Sequence, residues 1–214
     1  MWIDGIEYFF VNSNSADKHY TVTNCDKGKV YVDIPDKIDS IPITEISVGA
    51  FDSCSKLKSI KLNENIEKIS TNAFFDCSSL KTITIPKKVR SVSWGTFSGC
   101  ENLVNVIFEG KLSYLSLGSF SDCKQLKKVE FKNGITGVIG EHTFCHCPSL
   151  EEVIIYNKVN LKHISNSIFI KCEKLKKVVY NYKGCPDVKA LKDIDRINED
   201  IKNQQKIENG KEVV

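Results

Sequence analysis

The stretch Ile69-Ser70-Thr71-Asn72-Ala73-Phe74-Phe75-Asp76-Cys77-Ser78-Ser79-Leu80-Lys81-Thr82-Ile83-Thr84-Ile85-Pro86-Lys87-Lys88-Val89 decides the fold. Counted from Phe74, apolar side chains stand at −5 (Ile69), +3 (Cys77), +6 (Leu80), +9 (Ile83) and +11 (Ile85). Leu80 to Ile85 reads as a bend into a short strand whose side chains alternate in and out with period two.

Moving outward, the same offsets recur. Phe51, Phe74, Phe97, Phe120, Phe144 and Phe169 are separated by 23, 23, 23, 24 and 25 residues. Cys54, Cys77, Cys100, Cys123, Cys147 and Cys172 follow at +3, and Leu57, Leu80, Leu103, Leu126, Leu150 and Leu175 at +6. Branched aliphatics hold +9, from Ile60 to Val178, and apolar or aromatic residues hold +11, from Leu62 to Tyr180. Ile46, Ile69, Val92, Leu115, Ile139 and Ile164 stand at −5. One copy cannot bury these residues alone, whereas stacked copies set Phe on Phe and Leu on Leu in a continuous core. Strands of successive coils then pair in parallel. The two longer steps put extra residues between Ile135 and Ile139 and between Val159 and Ile164, and loops are expected to absorb them.

The unit Ile-x-x-x-Ala/Thr-Phe-x-x-Cys-x-x-Leu-x-x-Ile-x-Ile-Pro-x-x-Val resembles the BspA-like leucine-rich-repeat family over roughly residues 30–180. The entry strand Ile34-Pro35 and then Ile41-Pro42-Ile43-Thr44-Glu45-Ile46 fits as well. The chain also departs from the pattern. Proline follows the strand only at Pro35 and Pro86, and glycine precedes the Ala/Thr-Phe pair clearly only at Gly49, Gly95 and Gly118. The resemblance implies a right-handed leucine-rich-repeat solenoid of six repeats with short parallel strands. It also implies a non-enzymatic interaction module, often adhesive and at a cell surface.

A solenoid needs caps at both ends. Residues 1–34 alternate in strand-like pieces (Ile6–Val11, His19–Val22, Lys29–Val32) with a polar turn at Asn12 to Asp17, and are expected to form a β-rich N-terminal cap. Residues 35–180 are the solenoid. In 181–214 the period stops, Gly184-Cys185-Pro186-Asp187 breaks the chain, and Val188, Leu191, Ile194, Ile197 and Ile201 recur at helical spacing. A helix covering the open end is expected there, followed by a polar tail; a helix that recruits a partner is the alternative.

Composition excludes more than it proposes. With 30 basic and 27 acidic residues in 214, the formal charge is +3, too balanced to favour nucleic acid or an anionic membrane. No apolar run is long enough to span a bilayer. The first residues carry no secretory signal pattern, and no Asn-x-Ser/Thr acceptor occurs. These features favour a cytoplasmic location, against the cell surface that the resemblance implies.

The nine cysteines invite chemistry. As disulfides, equivalent positions in stacked coils keep their Cβ atoms about 4.8 Å apart, beyond the usual bridge distance. As zinc ligands, a column is not a tetrahedron. As compact buried thiols they fit, and serine in their place would bury a stronger polar group. His142-x-x-Cys145-His146-Cys147 is the one local metal-like cluster, but Cys147 already belongs to the core column. His19, His142, His146 and His163 sit in no nucleophile or base motif, and there is no phosphate loop or paired-carboxylate signature. No catalytic, cofactor-binding or metal-binding residue is assigned, and no cofactor is expected.

What remains is the outward face of the repeated strand. Its second outward position reads Lys61, Thr84, Ile107, Glu130, Ile154 and Val179, and these are the candidate contacts for a partner protein. Lys58, Lys81, Lys127 and Lys176 line one edge, broken by Val104 and Glu151. A protein–protein interaction or adhesion module is the leading expectation, and an intracellular scaffold or regulator the alternative.

Overall fold

A computed structural model gives the arrangement of the chain. It describes residues 1–13, 17–157, 159–164, 167–181 and 188–208, without the side chains of 160–164, 188–190 and 208. The chain opens with β1 (Trp2–Ile3), β2 (Ile6–Asn12), β3 (Lys18–Cys25), β4 (Tyr31–Asp33), β5 (Lys37–Ile38) and β6 (Ile41–Ile46). The middle runs β7 (Ser59–Lys61), β8 (Lys68–Ile69), β9 (Thr82–Ile85), β10 (Ser91–Val92), β11 (Asn105–Phe108) and β12 (Leu112–Leu115). It ends with β13 (Lys128–Phe131), β14 (Ile135–Ile139), β15 (Glu152–Tyr156), β16 (Val159–Ile164), β17 (Val178–Asn181) and the helix α1 (Val188–Glu208).

These elements wind into a solenoid of about seven turns. Each coil contributes two strands, where the sequence pattern had indicated one. The expected strand builds a seven-stranded sheet in the order β17-β15-β13-β11-β9-β7-β4. The residues around the −5 column build a second sheet on the opposite wall, running β1-β2-β3-β6-β8-β10-β12-β14-β16 with β5 on β6. Strands of two residues such as β8 and β10 are too short to show any alternation, which is why the column was visible and its sheet was not. The seventh coil comes from the leading segment: β3 pairs in parallel with β6 and β4 with β7, so the cap is continuous with the stack.

The core is the set of columns. The Phe rings from Phe51 to Phe169 stack with centroids 4.9, 5.2, 5.0, 5.5 and 5.4 Å apart. Phe108 and Phe131 stack beside them at 4.8 Å, and Phe108 meets Phe120 edge-on. Parallel stacking with offset follows from the coil repeat. The residue before the first five of these Phe residues is small and buried: Ala50, Ala73, Thr96, Ser119 and Thr143 are wholly enclosed, while a larger Ile168 precedes Phe169. Their hydroxyls donate locally, Thr96 Oγ1 to Ser93 O at 2.8 Å and Thr143 Oγ1 to Gly140 O at 2.7 Å, so no polar atom there is left without a partner.

The cysteine column is also core, and its thiols have a partner. Cys77, Cys100, Cys123, Cys147 and Cys172 each donate Sγ–H to the carbonyl oxygen of the Phe one coil earlier, at 3.1, 3.2, 3.2, 3.2 and 2.9 Å. The eight described cysteines are free and buried.

Two backbone positions per coil explain the rest of the motif. Two residues before the Phe, Gly49, Asn72, Gly95, Gly118 and His142 all have positive φ, between 53° and 63°. Two residues after it, Ser53, Asp76, Gly99, Asp122, His146 and Lys171 do too. The chain must bend through the left-handed region on each side of the ring, and Gly, Asn, Asp and His are the residues that enter it most readily.

The insertions are not taken up in loops, as the sequence reading expected. They appear as β-bulges inside strands. The β12–β14 register slips between Leu112 and Tyr114, and the β14–β16 register slips between Gly137 and Val138. Gly137 makes the first bulge possible: its φ is 107°, and a Cβ there would collide with the Ser113 carbonyl oxygen. A bulge extrudes one residue from the ladder while the columns on either side keep their places.

At the far end, α1 lays Ile194, Ile197 and Ile201 against the core. Asn198 Oδ1 accepts from the Val178 N–H at 2.6 Å, and its Nδ2 donates to the Val178 carbonyl at 3.3 Å. The helix therefore covers the last coil. Residues 182–187, which hold the expected break, and the tail 209–214 lie outside the described residues.

Candidate partner-binding surface

The seven-stranded sheet presents its outer face as ordered rows. Parallel pairing sets Thr84 opposite Ile107, Ile107 opposite Glu130, Glu130 opposite Ile154, and Ile154 opposite Val179. Five of the six expected contact residues therefore form one in-register ladder. Lys61 extends it, since β7 joins β9 through Ser59 opposite Thr82. Its ammonium reaches Asp33 at 3.3 Å.

Exposure along the ladder is uneven. Lys61 and Thr84 are exposed, Ile107, Ile154 and Val179 are half-buried, and Glu130 is only 8% exposed. Beside it runs the row Ser59, Thr82, Asn105, Lys128 and Glu152. A concavity of about 400 Å³ opens on this face, lined by Thr82, Thr84, Asn105, Ile107, Lys128 and Glu130. Its floor has one apolar side chain among hydroxyls and an amide, with a charged pair at one end.

That pair is part of a larger constellation. Lys128 Nζ lies 2.7 Å from Glu130 and 3.6 Å from Glu152, Lys132 closes on Glu130 from the other side, and the Lys132 ammonium stands 5.0 Å from the Tyr156 ring centre. Burial by itself would raise the Glu130 carboxyl, but the hydrogen bonds from Lys128 and Lys132 outweigh it and hold the group below the usual glutamate range. Sequence reasoning placed Glu130 on the outer face without its two clamps. The signal was present: Lys128 and Glu130 alternate along β13, and Lys132 continues the same spacing just beyond its end. The basic edge is as expected, with Lys58, Lys81, Lys127 and Lys176 exposed.

The histidine–cysteine cluster takes a different explanation from metal binding. His142 and His146 occupy the two left-handed positions that glycine, asparagine or aspartate hold in other coils. His146 Nδ1 lies 3.3 Å from Asp122 Oδ1, its counterpart one coil back. Cys147 points into the core toward Phe120, and Cys145 is buried. Among the described residues no three His, Cys, Asp or Glu side chains are grouped to hold a metal ion. The His163 side chain lies outside the described set.

The profile of the BspA-type leucine-rich-repeat region matches the chain in six copies over residues 19–138 and 44–176. The chain belongs to that family. A leucine-rich repeat protein of T. pallidum, TpLRR, is similar at 21% identity, over 92% of this chain and 95% of its own, with a TM-score of 0.63. A leucine-rich cell surface protein of Faecalibacterium prausnitzii A2-165 is 18% identical over 89% of this chain, with a TM-score of 0.62. A leucine-rich repeat protein of Eubacterium ventriosum is 21% identical over 76%, with a TM-score of 0.59. This chain spans 56% and 44% of the lengths of those last two. No curated protein sequence matches it. At these identities the likeness shows the fold. BspA-type repeats are commonly protein-interaction and surface modules, and the family is generally non-enzymatic. Among the described residues no helix is long and apolar enough to cross a membrane.

Proposed function

We propose that this BspA-type chain is a non-enzymatic interaction module that binds another protein on the outer face of its seven-stranded sheet. The observation that carries this is the in-register ladder Thr84–Ile107–Glu130–Ile154–Val179 beside the 400 Å³ concavity. Rigid strands hold the apolar contacts at fixed spacing, with polar groups between them to fix orientation. Surface rows of this kind bind without paying to order loops. A photo-reactive phenylalanine analogue at position 107 should cross-link to the partner in native lysate, and one at position 91, on the opposite sheet, should not. Equal cross-linking at both would remove the assignment.

Two settings suit such a module. The F. prausnitzii relative is a cell surface protein, which supports an adhesive role. The eight free, buried cysteines support an intracellular scaffold, because unpaired thiols persist most readily where the medium is reducing. Impermeant surface labelling of intact cells separates the two.

A further inference from the structure

The two ends of the stack are finished differently. At the C-terminal end Asn198 meets both backbone groups of Val178, and Gln205 Nε2 donates to Leu175 O at 2.7 Å. Side-chain amides there do what a further strand would do. At the N-terminal end the seven-stranded sheet stops at β4. The Ile34 N–H donates to Lys61 O at 3.0 Å, and the Lys58 N–H donates to Val30 O at 2.8 Å. The even-numbered residues of this segment therefore face β7. Alternation turns the N–H and C=O groups of Tyr31 and Asp33 away from the sheet, toward its open edge. Tyr31 is 67% exposed.

The opposite sheet reaches two strands further at this end, since β2 and β1 lie beyond β3. Ile3 pairs with Ile6 and Phe10 with Tyr20, so all four share the inward face. Ile6 and Tyr20 are buried, yet Ile3 is 42% and Phe10 38% exposed. Among the described residues no strand lies beyond this backbone row, and with the half-covered apolar side chains of the other layer it outlines the space of a missing strand. Within β4 itself no proline or lysine blocks the edge; the strand is short, with Lys29 before it and Pro35 after it.

We propose that β4 is a docking edge for an extended segment of a partner polypeptide, which adds to the seven-stranded sheet and turns an apolar side chain toward Ile3 and Phe10. Alternating donors and acceptors at strand spacing are matched by another extended backbone. A phosphate or lipid headgroup offers acceptors alone. The edge adjoins the outer face assigned above, since Asp33 pairs opposite Lys61, but it is read through backbone groups and the outer face through side chains, so either assignment can fail without the other.

The test is fluorescence anisotropy with a labelled eight-residue peptide alternating valine and threonine, with lysines added for solubility. The wild type and Tyr31→Phe should bind it equally. Tyr31→Pro removes the outward N–H and keeps the β7 pairing, so it should weaken binding by about ten-fold or more with the melting temperature unchanged. Should that variant fold poorly, Phe10→Asp and a peptide methylated on alternate backbone nitrogens carry the same test, and both should bind weakly. Absence of saturable binding by the wild type would overturn the proposal, as would binding indifferent to these changes. A concentration-dependent dimer lost in Tyr31→Pro would give the edge to a second copy of the chain and overturn the stated partner.

Discussion

The Cys100 thiol donates to the Phe74 carbonyl oxygen at 3.2 Å, one coil below. That oxygen also accepts the Cys77 N–H at 3.3 Å, closing the turn of its own coil. One carbonyl thus ties the local bend to the next coil, and the Phe51 and Phe97 carbonyls do the same. Cys100→Ala loses the donor and leaves a small void, and should cost about 1–2 kcal/mol by denaturant unfolding. Sequence reasoning expected serine to do worse than alanine. With an acceptor already in place, Cys100→Ser should be no worse than Cys100→Ala. A serine variant much less stable than the alanine variant would show that the thiol acts as a hydrophobe alone.

Burial raises the pKa values of the Cys77, Cys100, Cys123 and Cys147 thiols, and the Cys147 thiol together with burial raises that of Cys172. The unfolded chain ionises these groups near pH 8.5, while the folded chain keeps them neutral well above it. Their contribution to stability is therefore complete below about pH 8.5 and is lost as pH rises toward the folded values. Stability should fall by up to ~1.4 kcal/mol per pH unit for each thiol above that point. Urea unfolding at pH 7, 9 and 10 checks this, and a flat profile would contradict it.

Phe97 stacks between Phe74 and Phe120 at 5.2 and 5.0 Å. Phe97→Ala should cost about 3–5 kcal/mol. Because each coil touches only its neighbours, the loss should broaden the unfolding transition and split the stack at that point. Hydrogen exchange on either side of residue 97 reads this directly.

His142 separates backbone duty from metal duty. Its φ of 53° makes glycine the better residue there. His142→Gly should match or exceed the wild type in stability, and His142→Ala should be about 1 kcal/mol worse than His142→Gly. Loss of bound zinc in either variant would restore the metal reading.

The core was legible because it is written six times. Phe, Cys and Leu at fixed offsets leave little freedom in what stacks on what. The second sheet was not legible, because strands as short as Lys68–Ile69 carry no period. Nor were the bulges, since a one-residue insertion looks the same in a loop and in a ladder until the pairing of Gly137 is known. The thiol donors also escaped notice, for their acceptors are carbonyls one coil away. On the candidate surface, alternation placed Ile107 and Ile154 on the outer face, but the burial of Glu130 depended on lysines reaching along and across strands.

Glu130 offers a pH test of that surface. Its carboxyl is held low, so its contribution is present above the ordinary glutamate pKa and is lost as pH falls through the folded value. Glu130→Gln should flatten the acid limb of stability below about pH 4.5 and leave Lys128 and Lys132 without their shared partner. An unaltered acid limb would show that the clamp is not formed in solution.

The most direct measurement is quantitative capture of proteins from native lysate by the wild type and by the double variant Ile107→Asp, Ile154→Asp, with melting temperatures taken in parallel. The expected result is loss of the captured partner with no fall in melting temperature, since both side chains stand on the outer face of the sheet. Undiminished capture by a folded double variant would contradict the assignment of that face.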